Sequence, residues 1–179
     1  MKGKRIMRIE TDRLIIRSVE RGDEMFYADM AKDGTLLDIG FDINCAEWMG
    51  EWIDEALKMD EDDNPENQYI AYTICLKNNG NVIGSVGCSY YEDLKQIGIT
   101  YFIGQKYREN GYAVEGVQAY TDYFFSHYPV KKLIATIREE NIASWKTIEK
   151  AYFRLVEIKM YQDIDDVKEE LYRFYEITV

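Results

Sequence analysis

The alternation of apolar and polar positions changes period several times along the chain, and each change marks an element. Residues 8–19 (RIETDRLIIRSV) alternate around Leu14 and Ile16, as a half-buried first strand does. Asp23 can cap the next segment, where Met25, Phe26, Ala28 and Met30 predict a short amphipathic helix ended by Asp33-Gly34. Residues 35–44 read as a loop or a short helical turn. From Ala46 to about Met59, Trp48, Met49, Trp52, Ile53, Ala56 and Leu57 recur at helical spacing and predict a second helix. It runs into the charged stretch 60–66, where Pro65 is a stop.

The period then shortens. YIAYTICL (69–76) and VIGSVGCSYY (82–91) are β-rich, and Asn78-Asn79-Gly80-Asn81 between them is turn chemistry, so an antiparallel hairpin is predicted. IGITYFI (97–103) adds a third strand after Glu92-Asp93-Leu94-Lys95. The helix that continues to about His127 carries Ala113, Val117, Tyr120 and Phe124 along one face. Pro129 separates it from a buried strand, KLIATI (132–137), and Asn141 stands at the N-cap of a further helix, Ile142 to Ala151. RLVEIKMY (154–161) and ELYRFYEITV (170–179) are two last strands around the acidic loop 163–169. The order β-α-α-β-β-β-α-β-α-β-β predicts an α+β (mixed α/β) fold. Its meander of antiparallel strands becomes parallel where a crossover helix leaves residue 111.

That crossover begins with QKYRENGYAVEGV (105–117). A strand feeding a glycine turn into a helix N-terminus gathers unpaired N–H groups and the positive end of the helix dipole, which suits an anion. Gly111 can take a positive φ or admit a ligand close to the backbone, Ala113 keeps the next position small, and Lys106 and Arg108 add cations. The pattern fits a phosphate or pyrophosphate cradle, although such turns more often serve plain structure. Ligands of open mixed sheets bind at the carboxyl ends of strands where chain direction reverses, and this turn sits at such a point.

Composition narrows the class. The 179 residues suit one domain spanning 1–179, and 46% hydrophobic with 14% aromatic content predicts a folded globule. No apolar run approaches the ~20 residues of a membrane span, and MKGKRIMRIE is basic without the apolar stretch of a signal peptide. Cys45, Cys75 and Cys88 are odd in number and lack metal-ligand spacing, which suits unpaired thiols in a reducing cytoplasm and no metal. The net charge of −11, from 22 basic and 33 acidic residues, argues against a nucleic-acid or anionic-membrane partner and permits a cationic one.

Three segments together resemble the GNAT acetyltransferase superfamily, and within it the ribosomal-protein N-terminal acetyltransferase (RimJ/RimL) branch. Glu10-Thr11-Asp12-Arg13-Leu14-Ile15-Ile16-Arg17 is similar to that branch's opening strand. Tyr107-Arg108-Glu109-Asn110-Gly111-Tyr112-Ala113 is similar to its R-x-x-G-x-G/A acyl-CoA loop. Glu140-Asn141-Ile142-Ala143-Ser144, then Glu149-Lys150 and Phe153, is similar to its E-N-x-x-S…E-K-x-G-F helix. The three stand in the right order over about residues 8–157.

The resemblance implies acetyl-CoA as donor, a primary amine as acceptor, and attack in a ternary complex. It places the pyrophosphate on Arg108, Glu109, Asn110, Gly111, Tyr112 and Ala113, held mainly by backbone N–H groups. It lays the pantetheine arm along Tyr101, Phe102 and Ile103, with Asn141 bonding that arm while also serving as a cap. Lys146 and Arg138 can reach coenzyme phosphates or stay solvated. Ser144 corresponds to a hydroxyl able to protonate the leaving thiolate, because the tyrosine that many members carry seven residues after the asparagine is Ile148 here. Two positions depart from the branch. Gly98 stands where many relatives have a glutamate that acts as general base through water, and Glu92, just upstream, is the candidate replacement. Tyr152 stands where the glycine before Phe153 is usual.

The acceptor side of this superfamily lies between the first two helices and the loop joining the last two strands. Asp38, Asp42 and Glu47, and Asp163, Asp165 and Asp166, fall there, so the acceptor is expected to be cationic: a basic peptide N-terminus or a polyamine-like molecule. Trp48 and Trp52 can wall that pocket or belong to the core. Cys88 reads as a small buried hydrophobe, and His127 as non-catalytic. A homodimer is compatible with the sequence. Gly98 and Ile148 motivate the rival reading, a catalytically weak acyl-CoA-binding or regulatory domain.

Overall fold

The computed structural model of the chain describes residues 6–179. In chain order these form β1 (Arg8–Glu10), β2 (Leu14–Ser18), α1 (Asp23–Ala31), α2 (Met49–Asp62), β3 (Tyr69–Leu76), β4 (Val82–Tyr91) and β5 (Gln96–Ile103). There follow α3 (Tyr112–His127), β6 (Lys132–Arg138), α4 (Ile142–Lys150), β7 (Arg154–Tyr161) and β8 (Glu170–Thr178). The strands make one sheet in the order β1-β2-β3-β4-β5-β6-β8-β7, antiparallel throughout except between β5 and β6. Among the described residues no helix is long and apolar enough to cross a membrane.

The expected first strand, 8–19, is two strands folded back on each other. Thr11 makes the reversal: its N–H donates to the Leu14 carbonyl at 3.0 Å, and its Oγ1 accepts the Leu14 N–H at 2.9 Å. A hydroxyl that bonds nearby backbone competes with the ladder and turns the chain.

The sheet separates two cores, because successive side chains of a strand point to opposite faces. On the α3/α4 face, Ile70, Tyr72, Val86, Cys88, Ile97, Ile99 and Ile103 meet Val117, Tyr120 and Phe124 of α3 and Ile148 of α4. On the α1/α2 face, Cys75, Val82 and Phe102 meet Tyr27, Ala31, Met49, Ile53 and Ala56. Trp52 belongs to this second core: it lies flat on Tyr69 at 5.8 Å and edge-on to Phe41 at 5.4 Å, and Trp48 is edge-on to Phe41 at 5.8 Å. Such ring pairs add about 0.5–1.5 kcal/mol each beyond burial. Both tryptophans are half-buried and pack against this core.

Helix α1 differs from its sequence reading in both cap and face. Gly22, at φ 110°, is the N-cap, and Asp23 turns inward. Its carboxylate accepts two Arg17 N–H bonds at 2.8 and 2.9 Å, the Glu20 N–H at 3.0 Å and the Thr73 hydroxyl at 2.6 Å. The buried face is Tyr27, Ala28 and Ala31, while Met25 and Phe26 are exposed. Tyr27 wins because its hydroxyl finds Thr73 at 2.6 Å while its ring packs on Phe102 at 5.4 Å.

One irregularity of the sheet opens it between two strands. Strands β5 and β6 share a single register pair, Gly98 with Ile134, and then part. From Ile99 to Ile103 the β6-side edge of β5 pairs with no strand among the described residues, while its other edge stays paired with β4. A wedge-shaped gap therefore opens toward the carboxyl ends of both strands.

Candidate active site

The α3 end of the gap is closed by the glycine turn. Gly111 sits at φ 79° and is the N-cap of α3. Glu109, just before it, also has a positive φ, 63°. Along this backbone residues 109 to 114 donate to no acceptor among the described residues, and the first helical bond is Glu115 N–H to the Gly111 carbonyl at 3.1 Å. A Cβ at Gly111 would lie 3.4 Å from the Arg13 guanidinium as well as in a disfavoured φ region. The donor set is backbone amides plus a helix dipole, which fits a pyrophosphate.

The side chains of this loop hold it in shape. Arg108 turns back, its Nε donating to the Ile103 carbonyl at 2.9 Å and one Nη to the Thr35 carbonyl at 3.4 Å, so its cation braces the end of β5. Asn110 ties its amide to the Tyr107 and Arg108 carbonyls at 3.1 and 2.9 Å. Arg13 lies over the Tyr112 ring at 4.7 Å and donates to the Asn110 carbonyl at 2.8 Å and to Glu115 at 2.7 Å. Burial works to raise Glu115, but the bonds from Thr11 and Arg13 outweigh it and its carboxyl is lowered. Ala113 packs against the first core. The Arg13–Glu115 link was not read from the sequence, since 102 residues separate the pair.

On the α3/α4 face, the side chain of Tyr101 crosses to α4. Its hydroxyl meets Ser144 Oγ at 2.8 Å and donates to the Ser144 carbonyl at 3.0 Å. Burial pushes the Tyr101 phenol up to about 12, so it keeps its proton at neutral pH. Asn141 is the N-cap: its Oδ1 accepts the Ser144 N–H at 3.2 Å, leaving its amide hydrogens to other acceptors. Lys146, one turn in, lies 5.8 Å from the Trp145 ring on an exposed surface. Phe102 points the other way, into the second core, and Ile103 into the first. Cys88 is fully buried, and burial raises its thiol to about 11, which suits a packing role.

The α1/α2 face of the gap is polar. Arg138, at the end of β6, pairs with Asp38 at 3.2 Å and with Asp166, which also accepts the Tyr172 hydroxyl at 2.7 Å. One arginine thus joins the α1–α2 connection to the β7–β8 loop. Burial works to raise Asp166, yet the bonds from Tyr172 and Arg138 leave its carboxyl lowered. Neighbouring Asp163 has no such cation among the described residues, and burial together with Asp166, Asp165 and Asp93 raises its carboxyl. Glu92 is not brought to Gly98: it is 80% exposed on the β4–β5 turn and pairs with Lys95 at 2.9 Å. Tyr91, its neighbour, points inward instead.

A family model described as the acetyltransferase (GNAT) domain matches residues 13–154, four-fifths of the chain. The chain belongs to the GNAT acetyltransferase family. It is 25% identical over 158 residues to YnaD of Bacillus subtilis (strain 168), an uncharacterized N-acetyltransferase, and covers 83% of each chain. A GNAT-family acetyltransferase from Bacillus anthracis superposes with a TM-score of 0.79 at 21% identity, covering 96% of this chain and 98% of that one. RimL, a ribosomal L7/L12 alpha-N-protein acetyltransferase solved with coenzyme A, superposes with a TM-score of 0.80 at 13% identity, covering 97% and 98%. The mixed sheet parted at one parallel pair is the acyl-CoA N-acyltransferase fold, and a GNAT enzyme takes its acetyl group from acetyl-CoA.

Proposed function

We propose that this enzyme transfers the acetyl group of acetyl-CoA directly to a primary amine, either a protein N-terminal α-amine or a small cationic amine. One observation carries the reading. A hydroxyl pair on the α3/α4 face and a polar, acid-lined surface on the α1/α2 face reach the same gap between β5 and β6.

The amides of residues 109–114 hold the pyrophosphate. The open edge of β5 from Ile99 to Ile103 offers N–H and C=O groups to the pantetheine amides, as an added strand would take them. Bound acetyl-CoA supplies the activated thioester. Asn141 donates to the pantetheine arm through its free amide hydrogens, and Tyr101 and Ser144 give a proton to the departing sulfur. Alignment of the amine in the gap contributes the rest, since two held reactants lose the entropy cost of meeting.

The acid-lined surface supports a cationic acceptor, with one refinement. Arg138 is shared by Asp38 and Asp166 and cancels one of their two charges, so a net negative charge remains there beside Asp163, Asp165 and Asp93. The L7/L12 N-terminal activity named for RimL supports the protein α-amine as one form of acceptor. The rival reading, acyl-CoA binding without efficient turnover, has one observation in its favour: Gly98 brings no carboxylate to the gap.

The test is an acceptor panel read by mass spectrometry of the product: basic, neutral and acidic N-terminal peptides, spermidine, and free amino acids. Acetylation of the basic members supports the proposal. Faster acetylation of acidic or neutral amines contradicts the charge argument.

A further inference from the structure

The two edges of the sheet are built differently. At one edge, β1 is three residues long, and its two ends, Arg8 and Glu10, pair with each other at 2.9 Å. A short, charged strand of this kind keeps a sheet edge from pairing with another chain. At the other edge, β7 runs for eight residues and pairs with β8 alone among the described residues. Leu155, Val156, Ile158 and Met160 of β7 are 38% to 54% exposed, and Leu171, opposite Met160 on β8, is exposed with them. A long apolar edge strand is a template for one more strand.

The charges of β7 fit a second copy of the same strand. Glu157 and Lys159 stand two apart on one face and join through the Lys159 Nζ at 2.7 Å. That Nζ also lies 4.3 Å from the centre of the Phe174 ring, which holds it over the sheet. Ile158, between the two charges, points to the other face with Met160. Val156 is the extra residue of a bulge against β8. A bulge bends its strand, which confines regular pairing to the stretch 156–160.

A two-fold axis perpendicular to the sheet can pair β7 with itself in only a few registers, because opposed residues must share a face. With Ile158 opposite its own copy, Glu157 faces Lys159 on both sides of the axis, and Val156 faces Met160. The four charges then alternate in sign around a square. The next symmetric registers, centred on Glu157 or on Lys159, set one of these charges against its own copy. Like charges directly opposite are destabilising, so one register is favoured over its neighbours.

We propose that β7 pairs antiparallel with β7 of a second copy of this chain, centred on Ile158, so that two sheets join into one across a two-fold axis. A contact limited to one strand from each copy is small, so the dimer dissociates on dilution. It bears on the candidate site as well. Strand β7 leads into the loop that carries Asp166, which Arg138 ties to Asp38, so pairing steadies the strand from which that side of the gap hangs.

The experiment is sedimentation velocity over a wide range of protein concentration, on the wild type, Glu157→Lys, Lys159→Glu and the double reversal. The wild type is expected to show a monomer–dimer equilibrium. Each single reversal sets two like-charge pairs across the axis and should raise the dissociation constant at least about tenfold. The double reversal keeps the alternation and should return within about threefold of the wild-type value. Hydrogen exchange of the wild type gives a reading that needs no variant: the amides of 156–160 should be protected at concentrations where the dimer forms and lose that protection on dilution. A wild type that stays monomeric at every concentration overturns the proposal. So does a dimer indifferent to the single reversals, a loss that the folded double reversal does not restore, or concentration-dependent protection that falls on another element.

Discussion

The hydroxyls of Tyr101 and Ser144 meet at 2.8 Å, one carried by the open stretch of β5 and the other by the first turn of α4. Neither element alone would place a proton donor at the gap. Ser144 is held by the Asn141 cap, and Tyr101 is fixed between two Ser144 oxygens. Replacing either hydroxyl, as Tyr101→Phe or Ser144→Ala, should lower kcat about ten- to a hundredfold while acetyl-CoA affinity changes less than about threefold. The double variant should lose little more than the worse single, since the two act as a unit. Steady-state kinetics beside calorimetric titration of acetyl-CoA checks this.

In the proposed reading, Gly111 carries the backbone of the phosphate cradle. A valine there would meet a disfavoured φ of 79° and push a branched side chain toward Arg13. Gly111→Val should lose acetyl-CoA affinity at least about tenfold and destabilise the chain by about 1–2 kcal/mol. Titration of acetyl-CoA and urea unfolding separate the two effects.

How much of this was legible beforehand follows from the range of the forces involved. The hairpin, the crossover helix and its glycine turn were readable because their signals are local: Asn79-Gly80, a helical stripe, and Gly111 before α3. The reversal at Thr11 was missed because one hydroxyl makes it, inside an otherwise strand-like alternation. Asp23 looked like a cap, yet it is spent on Arg17 and Thr73, partners 6 and 50 residues away. Glu92 was chosen by proximity to Gly98 in sequence. Strand alternation sends its neighbour Tyr91 inward and leaves Glu92 with Lys95. Tyr101 was expected for its backbone alone, and its contact with Ser144 spans 43 residues.

The Arg17–Asp23 pair offers a pH test. Burial works to raise Asp23, but bonds from Arg17, Thr73 and the Glu20 N–H prevail, so its folded carboxyl is lowered. A lowered folded value gives stability that is fully present above the unfolded value, about 3.9, and is lost as pH falls through the folded one. Arg17→Met should cost about 3–5 kcal/mol at neutral pH by leaving a buried carboxylate unpaired. Its deficit should shrink below about pH 4, where that carboxyl protonates. Urea unfolding at the two pH values measures both.

Tyr152 ends α4 at φ 71° with its side chain 78% exposed. A β-carbon in that region is strained, and an exposed ring gives little burial in return. Tyr152→Gly should therefore raise stability by about 1 kcal/mol with activity unchanged. A thermal melt and a rate on spermidine check it.

The proposed chemistry is acetyl transfer to an amine in the gap between β5 and β6. Its most direct test is the release of free CoA from acetyl-CoA by the wild type, with and without spermidine or a basic N-terminal peptide, beside Ser144→Ala. Amine-dependent, saturable release that falls in the variant is the predicted result. Saturable acetyl-CoA binding with no amine-dependent release, from any acceptor, would contradict it.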